Sequence, residues 1–146
     1  MIKNEPLFQN SPAIISGCNV KRTTNQSIPK QTWTKIQLDT KIYDIQDEFD
    51  FITNFRFTAK NAGIYMVIGQ LNVNATDGEV YGMGLSKNGG INDIENDLAP
   101  GATIGIAWQG SGFFQLAVDD YIELYVWHNH GSALDFTGKL YIGKIG

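Results

Sequence analysis

The clearest hydrophobic patterning lies in two stretches: FRFTAKNAGIYMVIGQLNV, ending at Val73, and LAVDDYIELYVWHNHG, from Leu116 to Gly131. In both, apolar positions alternate with period two, which sends successive side chains to opposite faces of a strand. In the first, Tyr65, Val67, Leu71 and Val73 share one face, while Ile64, Met66, Ile68, Gln70, Asn72 and Asn74 share the other. In the second, Ile122, Leu124 and Val126 oppose Tyr121, Glu123, Tyr125 and Trp127. Bulk on both faces of that strand predicts a core on one side and another surface, such as a second subunit, on the other. Thr32 to Asp39 alternates Thr34, Ile36 and Leu38 against Trp33, Lys35 and Gln37, which predicts a further half-buried strand. Helical periodicity does not recur anywhere.

Turn chemistry separates these segments. Asn61-Ala62-Gly63, Asp77-Gly78, Asn88-Gly89-Gly90, Pro100-Gly101, Asp119-Asp120 and Asn129-His130-Gly131 are all combinations that favour tight reversals. Short strands at this spacing predict an all-β fold, an antiparallel β-sandwich or jelly roll of about eight to ten strands. Residues 1–18 differ in kind, holding Pro6 and Pro12 with scattered apolar residues. They read as an N-terminal arm outside a domain of residues 19–146. Leu7, Phe8, Ile14 and Ile15 are its candidate anchoring residues, ordered by docking on a partner surface.

Composition narrows the function. The 146-residue chain is 12% aromatic, enough for one buried core, and its net charge of −4 argues against a nucleic-acid partner. The single cysteine, Cys18, rules out a disulfide within the chain and reads as a buried thiol. Asn4, Glu5, Gln9 and Asn10 interrupt what would be the apolar run of a secretion signal, so synthesis in the cytoplasm is expected. Nothing approaches the ~18 apolar residues of a membrane span. Two glycosylation sequons, at Asn25 and Asn74, read as chance matches in a chain without that signal.

Motifs of catalysis are missing. Gly82-Met83-Gly84 lacks the remainder of a dinucleotide fingerprint, Gly110-Ser111-Gly112 lacks the spacing of a nucleophile elbow, and Asp119-Asp120 reads as a polar reverse. His128 and His130 have the spacing of two metal ligands but no third ligand nearby. A non-enzymatic protein is expected.

With these elements placed, FRFTAKNAGIYMVIGQ resembles the signature of the complement C1q and tumour necrosis factor superfamily, in which Phe, Gly and Tyr recur with the spacing of Phe57, Gly63 and Tyr65. Trp33, Leu38, Asp39 and Phe49-Asp50 upstream, and VYGMGLSKNG, LAVDDYIELYVWHNHGSAL and GKLYIGKIG downstream, are similar to bacterial and bacteriophage members from Asn19 onward. Between Phe49 and Phe57 the chain has one residue more than the family usually has, and a bulge is expected there. The resemblance implies a jelly-roll homotrimer without a collagen-like stalk. Tyr65, Tyr125 and Trp127 are the candidate trimer-interface residues, with Trp108 and Phe113-Phe114 of similar character. Some relatives use calcium. Asp93, Glu95 and Asp97 are the candidate ligands, and Asp44, Asp47, Glu48 and Asp50 form a second acidic cluster; no other cofactor is implied. The function implied is a bacteriophage virion structural protein: a capsid decoration or cement protein, or a fibre. Its partners would be its own copies and other virion proteins. The alternative is a receptor- or glycan-binding head of a tail fibre, or a bacterial surface protein of the same fold.

Overall fold

The computed structural model describes residues 13–74, 79–90, 95–100 and 105–146. These form eleven strands: β1 (Gly17–Ile28), β2 (Thr34–Lys35), β3 (Thr40–Asp44), β4 (Phe49–Asp50), β5 (Arg56–Thr58), β6 (Gly63–Asn74), β7 (Val80–Lys87), β8 (Glu95–Pro100), β9 (Gly105–Leu116), β10 (Tyr121–His128) and β11 (Leu134–Lys144). One sheet has the order β3-β1-β11-β6-β9, and the other β4-β5-β10-β7-β8 with β2 also paired to β10. Every pairing is antiparallel. The architecture is the jelly-roll sandwich that the alternation predicts.

The core follows the period-two faces. Tyr65, Val67, Leu71 and Val73 of β6 pack inward towards Ile122, Leu124 and Val126 of β10, and all seven are buried. Gly69 is where the two sheets meet most tightly: a Cβ there would lie 2.9 Å from Leu124 Cδ1 and Met83 Sδ, and 3.0 Å from Leu85 Cδ2. The opposing sheet fills the space that a side chain on β6 would need.

Turn residues act as their chemistry predicts. Asn88 and Gly89 both have positive φ, 55° and 71°, and Gly90 N–H donates to Lys87 O at 3.2 Å. This is the two-residue reversal whose twist matches antiparallel strands. Asp119 is also left-handed at φ 72°. Asp77-Gly78 lies outside the described residues.

Three expectations are corrected in detail. The Thr32–Asp39 strand is only two residues long, although Ile36 and Leu38 still point into the core. Phe49 pairs directly with Phe57, so the additional residue upstream is taken up not by a bulge but by the Phe51–Asn54 turn, followed by Phe55 at φ 49°. Strand β1 starts at Gly17, so the last two residues assigned to the arm already belong to the sheet.

Candidate assembly face

The side of the β3-β1-β11-β6-β9 sheet that faces away from the core is graded from apolar to polar. Cross-strand register sets out its rows, because residues directly opposite one another share a face. Ile64 lies opposite Gln115 and accepts backbone hydrogen bonds from Ile145 and Gly146. The next row runs Gly17, Gly143, Met66, Phe113, and the one after it Tyr43, Asn19, Tyr141, Ile68, Ser111. Beyond these come Lys21, Lys139, Gln70 and Gln109. The far end is an open hollow of about 280 Å³ lined by Asn25, Asn72, Asn74 and Thr137, among others.

At the apolar end, Phe113 is 68% exposed, Ile145 59%, Ile64 44% and Met66 38%. Tyr43 and Ile45 extend the apolar surface at the β3 edge, and Ile15 adjoins through the hydrogen bond that Gln46 Nε2 donates to its carbonyl. In the middle is a depression. A Cβ built on Gly143 meets nothing within 4 Å, so the backbone there is bare and open. Gly17 beside it must be glycine, because at φ 149° its Cβ would lie 2.2 Å from Ile142 O.

A buried polar knot fixes the chain where it enters this sheet. Ser16 Oγ donates to Glu48 Oε2 at 2.6 Å, Lys60 N–H donates to Glu48 Oε1 at 3.0 Å, and Tyr65 Oη donates to Asn61 O at 2.7 Å. Lys144 N–H bonds Ser16 O. Each oxygen of the buried Glu48 carboxylate therefore has a donor, which burial of a charge requires. Burial pushes both the Tyr65 hydroxyl and the Cys18 thiol above their ordinary ranges; for Cys18 the neighbouring Asp44 and Glu48 charges push further in the same direction.

The candidate residues thus separate. Tyr65 is fully buried within one chain and offers no area to a partner; it belongs to the core, because it lies on the inward face of β6. Tyr125 and Trp127 are half-buried on the outer face of the opposite sheet, across the sandwich from the apolar patch. Ile14 and Ile15 are exposed, and Leu7 and Phe8 lie outside the described residues. Phe113, which the sequence grouped with other aromatics, is the most exposed aromatic side chain of the described core strands; Trp108 packs against the core.

The acidic clusters are mostly structural. Asp44 accepts the N–H groups of Glu48 and Phe49, and Asp50 those of Ile52, Thr53 and Asn54. Such bonds hold a turn closed and occupy the oxygens that a cation would use. Of the calcium candidates, Glu95 and Asp97 pair in register with Leu85 and Met83, and Asp93 lies outside the described residues. His128 is buried, its Nε2 3.0 Å from Ile28 O, and its ring packs on Phe136. Among the described residues no group of three His, Cys, Asp or Glu side chains is arranged to hold a metal, and no helix is long and apolar enough to cross a membrane.

Searches with family models and against curated proteins find no match. Solved structures do match. The globular domain of zebrafish complement 1qA protein aligns with 90% of this chain and 98% of its own, at 14% identity and a TM-score of 0.68. The PRD1 vertex protein P5 aligns with 90% of this chain and 97% of its own, at 16% identity and the same TM-score. Murine APRIL aligns with 90% of this chain and all of its own, at 13% identity and a TM-score of 0.65. The fold is the C1q and tumour-necrosis-factor-like jelly roll.

Proposed function

We propose that this chain is a non-enzymatic structural protein of a bacteriophage virion, a capsid decoration, cement or fibre component, assembled as a homotrimer through the outer face of the β3-β1-β11-β6-β9 sheet. The exposed apolar end of that face, Ile64, Met66, Phe113 and Ile145, is the observation that carries the reading. A lone subunit would leave this patch in water, whereas closed three-fold packing removes it. The gradient from apolar to polar along the strands suits an interface with one dry end and one wet end.

Phe113 sits on β9, the edge strand of its sheet, and Gly143 leaves a depression near the sheet's middle. In this reading Phe113 of one subunit enters the Gly143 depression of the next. That contact is head-to-tail, so it repeats around a ring until it closes. The likeness to the PRD1 vertex protein P5 supports a virion role.

The arm completes the proposal. Ile14 and Ile15 leave the sandwich exposed beside the same apolar surface, and residues 1–12 attach the trimer to other virion proteins. Light-scattering mass of the purified protein, with and without a chelator, tests the trimer: a chelator-resistant mass of three chains supports it, and a monomer overturns it. A truncation starting at Ala13, which keeps the Ser16 knot intact, tests the arm. It should remain trimeric but fail to join particles, and full incorporation would refute the anchoring role.

A further inference from the structure

The outer face of the other sheet has a separate design. Along β10 it presents Trp127, Tyr125, Glu123 and Tyr121, and each of the first three lies opposite a small residue of β7: Gly82, Gly84 and Ser86. Gly82 and Gly84 are buried despite having no side chain. A large ring opposite a glycine can lie across the bare backbone of its neighbour, so that it shows solvent a ring face rather than an edge. Trp33 joins this surface. Hydrogen bonds from Gln31 N–H to His128 O and from Ile36 N–H to Leu124 O bracket it alongside the Tyr125–Trp127 stretch, and it too is half-buried.

Charge on this face is present but neutralised. Glu123 is 4% exposed, and its Oε2 pairs with Lys35 Nζ at 2.6 Å. Lys35 Nζ also donates to Asn54 O at 2.8 Å, which fixes the pair in place. Among the described residues Glu123 Oε1 receives no hydrogen bond, and it faces the Asn88-Gly89 turn near the Tyr121 hydroxyl: a Cβ on Gly89 would lie 3.1 Å from Tyr121 Oη and 3.8 Å from Oε1. The Arg56 guanidinium stacks over the Tyr121 ring at 4.0 Å.

We infer that this surface, Trp33, Tyr125 and Trp127 with Glu123 and Lys35, binds neutral pyranose oligosaccharides. Ring faces of aromatic residues suit the C–H faces of a pyranose, and an acceptor held rigidly by a buried ion pair suits its hydroxyl groups. Around Trp33, Tyr125 and Trp127 the charges of Glu123 and Lys35 offset each other, which favours an uncharged polyhydroxyl ligand over a polyanion there. Burial, followed by the neighbouring Glu123 charge, pushes the Tyr125 hydroxyl further above its ordinary range, and a phenol hydroxyl there donates. The inference does not rest on the virion reading. The surface lies across the sandwich from the proposed assembly face, so trimer formation leaves it open.

Tryptophan fluorescence of the full chain, titrated with tetrasaccharides of glucose, mannose, galactose and N-acetylglucosamine and with dextran sulfate, tests it. Saturable quenching by at least one neutral tetrasaccharide is expected. Glu123→Gln and Trp127→Ala should each weaken it by about tenfold or more, while Phe113→Ala on the opposite sheet leaves the per-chain affinity unchanged. Circular dichroism checks the fold of each variant; should Trp127→Ala fail to fold, the isosteric Glu123→Gln decides. Binding by none of the neutral sugars, binding by dextran sulfate alone, or wild-type affinity in a folded Glu123→Gln would overturn the inference.

Discussion

Replacing Phe113 by alanine is the sharpest test of how subunits associate. Its ring lies opposite Met66 on the assembly face and is 68% exposed in the single chain. A phenylalanine presents roughly 200 Å² of surface, so about 140 Å² is available to a partner; at ~25 cal/mol per Å², with incomplete coverage, this contributes about 2–3 kcal/mol per contact. Three equivalent contacts close a ring, and the midpoint concentration of a monomer–trimer equilibrium follows the square root of the dissociation constant. The loss should therefore raise the midpoint by roughly 150- to 2,000-fold. Sedimentation equilibrium over a dilution series measures this shift directly. Ile52→Ala is the matched control, since Ile52 is 73% exposed but lies in the turn after β4, away from this face. A trimer that tolerates Phe113→Ala as well as Ile52→Ala would refute the argument, because the contact with most area to offer would then contribute nothing.

Gly69→Val should lower the melting temperature by several degrees, an overpacking cost of ~1–3 kcal/mol, since the new side chain enters space already held by Leu124, Met83 and Leu85; an unchanged calorimetric melt would mean that the sheets can separate there without strain. Acid should destabilise the fold in a defined window. Asp50 is held down to about 2 by the N–H groups of Thr53, Ile52 and Asn54, and Asp120 to about 2 by the Asn88 amide, the Ala117 N–H and Lys87. Both folded values lie below the ordinary 3.8, so their stabilisation is present above that pH and disappears as pH falls from 3.8 towards 2. Urea unfolding of Asp50→Asn across that range should show a shallower acid loss than wild type, and identical slopes would argue against the turn's role. Cys18 should resist a thiol reagent in the native state and react only as the protein unfolds, because it is buried and its thiol is pushed upward; labelling faster than unfolding would place it nearer the surface.

Much of the fold is legible because alternation is a local property. The faces of β6 and β10 can be read residue by residue, and Asn88-Gly89 announces its reversal by chemistry alone. What alternation does not carry is which face turns inward, or what lies across from a strand. Tyr65 and Phe113 are both aromatic strand residues, yet one is sealed in the core and the other is mostly in water. The difference comes from a pairing between β6 and β9 that residue spacing does not encode. Non-local contacts also hide the Ser16–Glu48 bond, between residues 32 positions apart. Glu48 and Asp50 read as a cation cluster because carboxylates look alike in sequence, whereas their oxygens are occupied by a hydroxyl and by backbone N–H groups. The Gly143 depression was equally silent, since glycine signals turns far more often than an opening in an apolar surface.

The pairing of β1 with β11 has a consequence for how the molecule is made. Gly17 to Ile28 line up with Gly143 back to Leu134, so a strand near the start of the chain lies between β3 and one near its other end. During synthesis β1 can pair with β3 early, but its other edge stays open until Lys144 has left the ribosome. Pairing over so long a separation in sequence is slow, and an open edge is the feature through which nascent chains join wrongly. The emergence of β11 therefore both closes the free edge of β1 and ends the interval in which two growing chains can join through that edge.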